Sequence, residues 1–141
     1  MRVSEVMSTQ IETINGEETV ETAAKIMVKE HIGALIILER GELEGIITER
    51  DILKIVANNK SVKTKIKEVM SKKLITIDHN AILEEAADLM VQYKIKKLPV
   101  LKDGKLVGIV TATDLITYEK NLVEKLSEIF LFSSKRPFMA G

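Results

Sequence analysis

The chain has 141 residues with 21 basic and 21 acidic side chains, 45% hydrophobic and 30% charged, the balance of a folded globular protein and not of a disordered or fibrous one. It has no cysteine and two histidines, His31 and His79, which excludes disulfides, thiol nucleophiles and cysteine-ligated metals and leaves no histidine-rich metal site to expect. Zero net charge removes the bulk pull toward nucleic acid or anionic lipid, and the longest apolar run, Ile32 to Leu38, is too short to span a bilayer.

The opening residues Met1-Arg2-Val3-Ser4-Glu5 lack the apolar core of a signal peptide, so the chain is expected in the cytoplasm without a membrane partner. An extended segment from Gln10 to Ile14 leads to a polar break at Asn15-Gly16. Val20, Ala23, Ala24, Met27 and Val28 then fall on one helical face. A buried apolar strand, Leu35 to Leu38, a tight turn at Glu39-Arg40-Gly41-Glu42 and a second strand, Leu43 to Thr48, follow, with a second helix starting near Glu49. The polar linker Asn58 to Thr64 leads into the same order again. It comprises a strand over Lys73–Ile77, a break at Asp78-His79-Asn80 and a helix with the stripe Ile82, Leu83, Ala86, Ala87 and Met90. The strand Leu98-Pro99-Val100-Leu101, the turn Lys102-Asp103-Gly104-Lys105, the strand Leu106 to Thr111 and a helix from near Ala112 complete it. Asp-Gly between β-branched runs is a strong hairpin signal. Past Ile116, Leu122, Val123, Leu126, Ile129 and Phe130 form one more helical stripe, which ends in an irregular tail over 133–141. That stripe, running into Leu131 and Phe132, is too apolar to leave in water and is expected to pack on its own module or on a partner subunit.

The second half is a duplicate of the first. Setting 6–53 against 69–116, a constant offset of 63, gives 19 identities in 48 positions without a gap, mostly apolar, glycine or turn residues. Each copy, at roughly 60 residues, is marginal as an independent domain. The expected fold is therefore α+β: two tandem strand–helix–strand–strand–helix repeats sharing a core, plus a C-terminal helix, divided as 1–62, 63–117 and 118–141. Met7, Met70, Met27 and Met90 recur at matched positions and are expected in the core.

The pattern Val-Met-Ser, Thr-Ile, an Ala-Ala helix, Leu-Pro-Val-Leu, Asp-Gly and Gly-Ile-Val-Thr-x-x-Asp resembles the cystathionine β-synthase (CBS) domain, and the two copies resemble a CBS pair, or Bateman module, over about residues 1 to 117. The resemblance is to a prokaryotic, archaeal-like stand-alone member; the lysine-rich composition, with glutamine only at Gln10 and Gln92, is common in hyperthermophiles and is also what an AT-rich genome gives. The resemblance implies an α/β-type CBS fold and a stand-alone, non-catalytic regulatory module. It also implies an adenosyl ligand such as AMP, ADP, ATP or S-adenosylmethionine in clefts between the repeats, with no required cofactor and a disc-like homodimer. By that resemblance Asp114 would grip the ribose hydroxyls and Thr111 the ribose or phosphate, with Asp51 and Thr48 their counterparts. Residues around Thr76-Ile77 and Thr13-Ile14 would meet the base. Pro99 and Thr113 complete site two, where Lys94, Lys96 and Lys97 precede the Leu-Pro strand and suit a phosphate. Site one has Gly33 in place of that cluster and offers Arg50 beside Asp51. Site two is expected to be the better nucleotide site.

Physical chemistry gives these residues two readings. A carboxylate can accept both hydrogens of a cis-diol, and a helix N-terminus favours an anion; yet Thr and Asp are also ordinary helix caps. Alternation along an extended segment puts Lys94 and Lys96 on one side and Lys97 on the other, so one or two of the three, not all, should face a cleft. An alternative function is an adaptor for a protein or nucleic acid, using Lys60, Lys63, Lys65, Lys67, Lys72 and Lys73 with the C-terminal helix and no nucleotide. The regulated client is not named by any of these features.

Overall fold

The computed structural model describes residues 1–134, with side chains to Phe130. Ten elements follow in order: β1 (Thr13–Ile14), α1 (Val20–Glu30), β2 (Ala34–Glu39), β3 (Glu42–Thr48), α2 (Glu49–Ala57), β4 (Ile77–Asp78), α3 (Leu83–Tyr93), β5 (Lys97–Lys102), β6 (Lys105–Thr111) and α4 (Ala112–Ser134). Two three-stranded sheets result, β1-β2-β3 and β4-β5-β6. In each, the first pairing is parallel and the second antiparallel. A parallel neighbour needs a crossover, and α1 and α3 supply it.

The local chemistry explains the matching shapes. Arg40 and Gly41, like Asp103 and Gly104, all have positive φ, the geometry of a two-residue hairpin turn whose twist matches the strands. α1 and α3 both stop on a left-handed residue, His31 and Lys94, so the chain reverses onto the sheet. Their starts differ: Thr19 Oγ1 accepts from the Thr22 N–H at 3.2 Å, whereas Ile82 caps α3 with no side-chain bond.

The first strand of each sheet is shorter than the expected Gln10–Ile14 and Lys73–Ile77, because only two residues in each pair with β2 or β5. Val28 and Val91, on the expected stripe or its counterpart, are exposed. Met27 and Met90 are buried, while Met7 and Met70 pack against the clusters part-buried. The expected C-terminal helix is continuous with the last helix of the repeat, a single α4 of 23 residues. Its Leu122, Val123, Leu126, Ile129 and Phe130 are exposed in the single chain, so nothing within the described residues covers the stripe. The side chains of Leu131 and Phe132 and most of the expected tail lie outside the described residues.

The interior forms two apolar clusters, and the repeats share them by exchange. Val3, from the start of the chain, is fully buried among Ile77, Ala86, Leu98, Val100 and Val110 of the second repeat. Its counterpart Ile66 is fully buried among Ile14, Val20, Leu35, Ile37 and Ile47 of the first. Each segment is pinned by backbone bonds: Val3 N–H to Ala81 O at 2.8 Å, and Ile66 N–H to Glu18 O at 2.9 Å. Glycine in β3 and β6 admits the crossing. A Cβ on Gly45 would lie 2.7 Å from Ser71 O, and one on Gly108 would lie 2.9 Å from Ser8 O.

The outer clamps on the two segments differ. Glu17 accepts from Lys65 Nζ at 2.8 Å and Lys67 Nζ at 2.6 Å. These bonds hold its carboxyl down to about 2 from an ordinary 4.5, and Glu17 raises the Lys67 ammonium in turn. Glu21 takes Lys63 at 2.8 Å and is lowered by that bond first. In the second repeat the place of Glu17 belongs to Asn80, whose Oδ1 accepts from Arg2 Nη1 at 3.0 Å.

Candidate ligand-binding site

β6 ends at Thr111 and α4 begins at Ala112, which puts Asp114 in the first turn. The Thr111 N–H donates to Asp114 Oδ2 at 2.9 Å, and the Asp114 N–H donates to Thr111 Oγ1 at 3.1 Å. Reciprocal capping satisfies two backbone donors that a helix start leaves open. It also fixes the carboxylate while Oδ1 accepts no hydrogen bond among the described residues. Capping and ligand contact are thus compatible in one side chain. In the first repeat the Thr48 N–H and hydroxyl both donate to Asp51 Oδ2, at 2.8 and 3.1 Å.

A cavity of about 200 Å³ lies between the repeats, lined by Ile32, Ala34, Ile36 and Ile46 of the first and by Lys97, Pro99, Ile109, Thr111 and Asp114 of the second. Ser8, Gln10 and Glu12 of the N-terminal segment close its rim. Three facing pairs, Ala34 with Lys97, Ile36 with Pro99 and Ile46 with Ile109, are repeat equivalents, so the cavity straddles the duplication. Alternation along β2 and β5 turns these residues to one face. Ser8 is docked on β6 by two backbone bonds with Ile109, 2.8 and 2.9 Å, and its Oγ accepts from the Gln10 N–H at 3.3 Å. The walls are chiefly aliphatic with a few polar groups, the composition of a small-molecule site.

Of the residues expected at site two, Lys97, Pro99, Thr111 and Asp114 meet here. The others do not border the cavity. Ile77 is buried in the second cluster, and Thr76 beside it is half-buried and does not line the cavity. Lys94 is the exposed left-handed cap of α3. Lys96 is exposed, and its carbonyl accepts the Ala112 N–H at 2.8 Å. Thr113 is exposed on α4. At site one, Ile14 is buried in the first cluster and Thr13 is exposed beside it. Gly33 lies under Glu49, where a Cβ would be 2.9 Å from Glu49 Oε1, and Arg50 is exposed. With Thr48 and Asp51 these four stay off this cavity. Sequence reasoning missed Ser8, Gln10 and Glu12. The available signal was Ser8, part of the repeated Val-Met-Ser.

The CBS domain family matches residues 3–58 and 66–121, one match per repeat. The chain belongs to the CBS domain family. CBS domain pairs are regulatory ligand-binding modules. This pair is 39% identical over 114 residues to the CBS domain-containing protein YhcV of Bacillus subtilis, covering 80% of this chain and 81% of that one. It is 35% identical over 121 residues to the protein MJ0450 of Methanocaldococcus jannaschii, covering 82% of this chain but only 65% of that one. Among solved structures, the CBS domain pair of protein MJ0100, in complex with 5′-methylthioadenosine and S-adenosyl-L-methionine, superposes with a TM-score of 0.77 at 33% identity, over 86% of this chain and 97% of that one. Among the described residues no group of three or more His, Asp or Glu could hold a metal ion, and no helix is long and apolar enough to cross a membrane.

Proposed function

We propose that this CBS pair is a cytoplasmic ligand sensor that binds an adenosine-containing molecule in the cavity at Asp114 and reports occupancy through the relative position of its repeats. One observation carries the reading: a cavity walled by both repeats ends at a capped helix start with a carboxylate oxygen to spare. Asp114 would accept the ribose cis-diol, and the aliphatic walls would take the base. A ligand touching both walls favours whichever arrangement of the repeats fits it better, which is the requirement for a switch. The resemblance implied AMP, ADP, ATP or S-adenosylmethionine, with one or two of Lys94, Lys96 and Lys97 facing a phosphate; of the three, Lys97 alone borders the cavity.

The test is thermal unfolding of the full chain with adenosine, 5′-methylthioadenosine, S-adenosylmethionine, AMP, ADP and ATP, repeated on Asp114→Ala. A ligand at 100 times its Kd stabilises by about 2.7 kcal/mol, a shift of a few degrees for a chain of this size. The expected result is a shift with an adenosyl compound, lost in the variant; no shift with any of them would overturn the proposal.

The adaptor reading has weaker support, because Lys63, Lys65 and Lys67 of the lysine stretch are engaged by Glu21 and Glu17. The exposed stripe on α4 supports a homodimer that covers it, which sedimentation of the full chain would reveal as twice the monomer mass.

A further inference from the structure

The charges around the cavity do not suit a phosphate. Two carboxylates, Glu12 and Asp114, border it against one ammonium, Lys97. Glu12 is exposed, and among the described residues its side chain has no hydrogen bond or ion pair to neutralise it. The positive end of α4 is already answered by Asp114, which takes the Thr111 N–H. Lys125 borders a separate hollow that also begins at Asp114, but it lies eleven residues along the helix, about 16 Å at the usual rise. Between aliphatic walls a charge is felt more strongly than in water, and in a space this small no part of a nucleoside is far from Glu12. A phosphorylated ligand would bring more negative charge to a rim with a net negative balance.

The duplication supplies an internal control. At the equivalent positions of the other repeat, Ile75 takes the place of Glu12, Lys73 that of Gln10 and Ala34 that of Lys97. Glu12 is therefore no part of the repeated scaffold. Its side chain is not buried, and it is not used to hold the fold.

Resting on the adenosyl reading above, we infer that Glu12 is a specificity residue that makes this site select adenosyl ligands whose 5′ substituent is neutral or cationic and reject those bearing phosphate. The mechanism is a like-charge penalty against the wrong ligand and an attraction for a cationic one.

Calorimetric titration at low salt of the full chain, Glu12→Gln and Glu12→Lys with adenosine, 5′-methylthioadenosine, S-adenosylmethionine, AMP and ATP tests it. In the unmodified chain AMP and ATP should bind about two- to fivefold more weakly than adenosine, the effect of one exposed like-charge pair. Glu12→Gln should narrow that ratio and Glu12→Lys should abolish or invert it, with adenosine affinity nearly unchanged. AMP or ATP binding as tightly as adenosine in the unmodified chain would overturn the filter while leaving the adenosyl reading intact. A parallel loss of all five ligands in Glu12→Gln would also overturn it, by showing that Glu12 contacts the shared nucleoside. If none of the five binds, the adenosyl reading falls and the filter with it.

Discussion

The two repeats share 19 of 48 residues and one topology, yet the cavity between them is bordered by Thr111 and Asp114 and not by Thr48 and Asp51. The shared residues are those that set strands, turns and cores: the alanine pairs, the hairpin glycines, the strand leucines, and Gly45 and Gly108 under the crossing segments. Six of the twelve residues that line the cavity, Thr111 and Asp114 among them, are shared as well; the other six and the clamps differ. Gln10, Glu12 and Lys97 stand against Lys73, Ile75 and Ala34, and an ionic clamp at Glu17 stands against a neutral one at Asn80. Duplication has kept what folding needs, together with the threonine and aspartate at each helix start, and has released part of what a ligand would touch. Two sites made from one template therefore need not take the same ligand.

The strongest way to break this comparison is through the exchanged segments. Ile66 and Val3 are equivalent and both fully buried, each in the cluster of the other repeat. Ile66→Ala should cost about 2–5 kcal/mol, with Val3→Ala smaller because fewer methyl groups leave. If exchange ties the repeats together, both variants should lower the midpoint of one common denaturant transition. Two separated transitions, one per repeat, would show that the clusters are independent.

The glycines sharpen the same point. Gly45→Ala and Gly108→Ala each push a methyl group against a backbone carbonyl, at 2.7 and 2.9 Å, which the antiparallel bridge to Ser71 or Ser8 holds in place. Overpacking of this kind costs about 1–3 kcal/mol, measurable by urea titration. The consequences should differ. Gly108→Ala displaces Ser8 and with it the rim of the cavity, so it should weaken ligand binding beyond its effect on stability. Gly45→Ala should affect stability alone.

Much of this was legible because duplication doubles every signal. Hairpins, helix stripes and the start of α4 at Ala112 follow from residues that recur at one spacing; alternation allowed one or two of the three lysines at a cleft, and Lys97 borders this cavity. The exchange was not legible. An apolar residue announces that it is buried but not against which repeat, and Val3 opens the first repeat while packing in the second. That also hid Ser8, Gln10 and Glu12, which reach site two only because their segment crosses over. The contacts to the base expected around Thr76-Ile77 and Thr13-Ile14 came from the resemblance, and the short strands there pair over two residues only. The continuity of α4 had a sequence basis: no glycine or proline interrupts 112–134, so nothing stops the helix.

The smallest expected difference separates the two clamps. Glu17 has its folded pKa lowered to about 2 by Lys65 and Lys67, so its contribution is complete above its ordinary 4.5 and is lost as pH falls toward 2. All three side chains are about half exposed, so water and salt keep the effect modest. At the alkaline end, raised Lys67 keeps the pair intact up to and beyond its ordinary 10.5. The Arg2–Asn80 clamp has a neutral acceptor and adds no slope in the acid range. Stability measured between pH 5 and 2 should therefore fall less steeply in Glu17→Asn, which copies the second repeat's clamp onto the first, than in the unmodified chain. The difference should shrink in high salt. An unchanged slope in low salt would mean that the ion pair does not hold the crossing segment, leaving Ile66 and the backbone bonds at Glu18 to fasten it, as Val3 and Ala81 do in the other repeat.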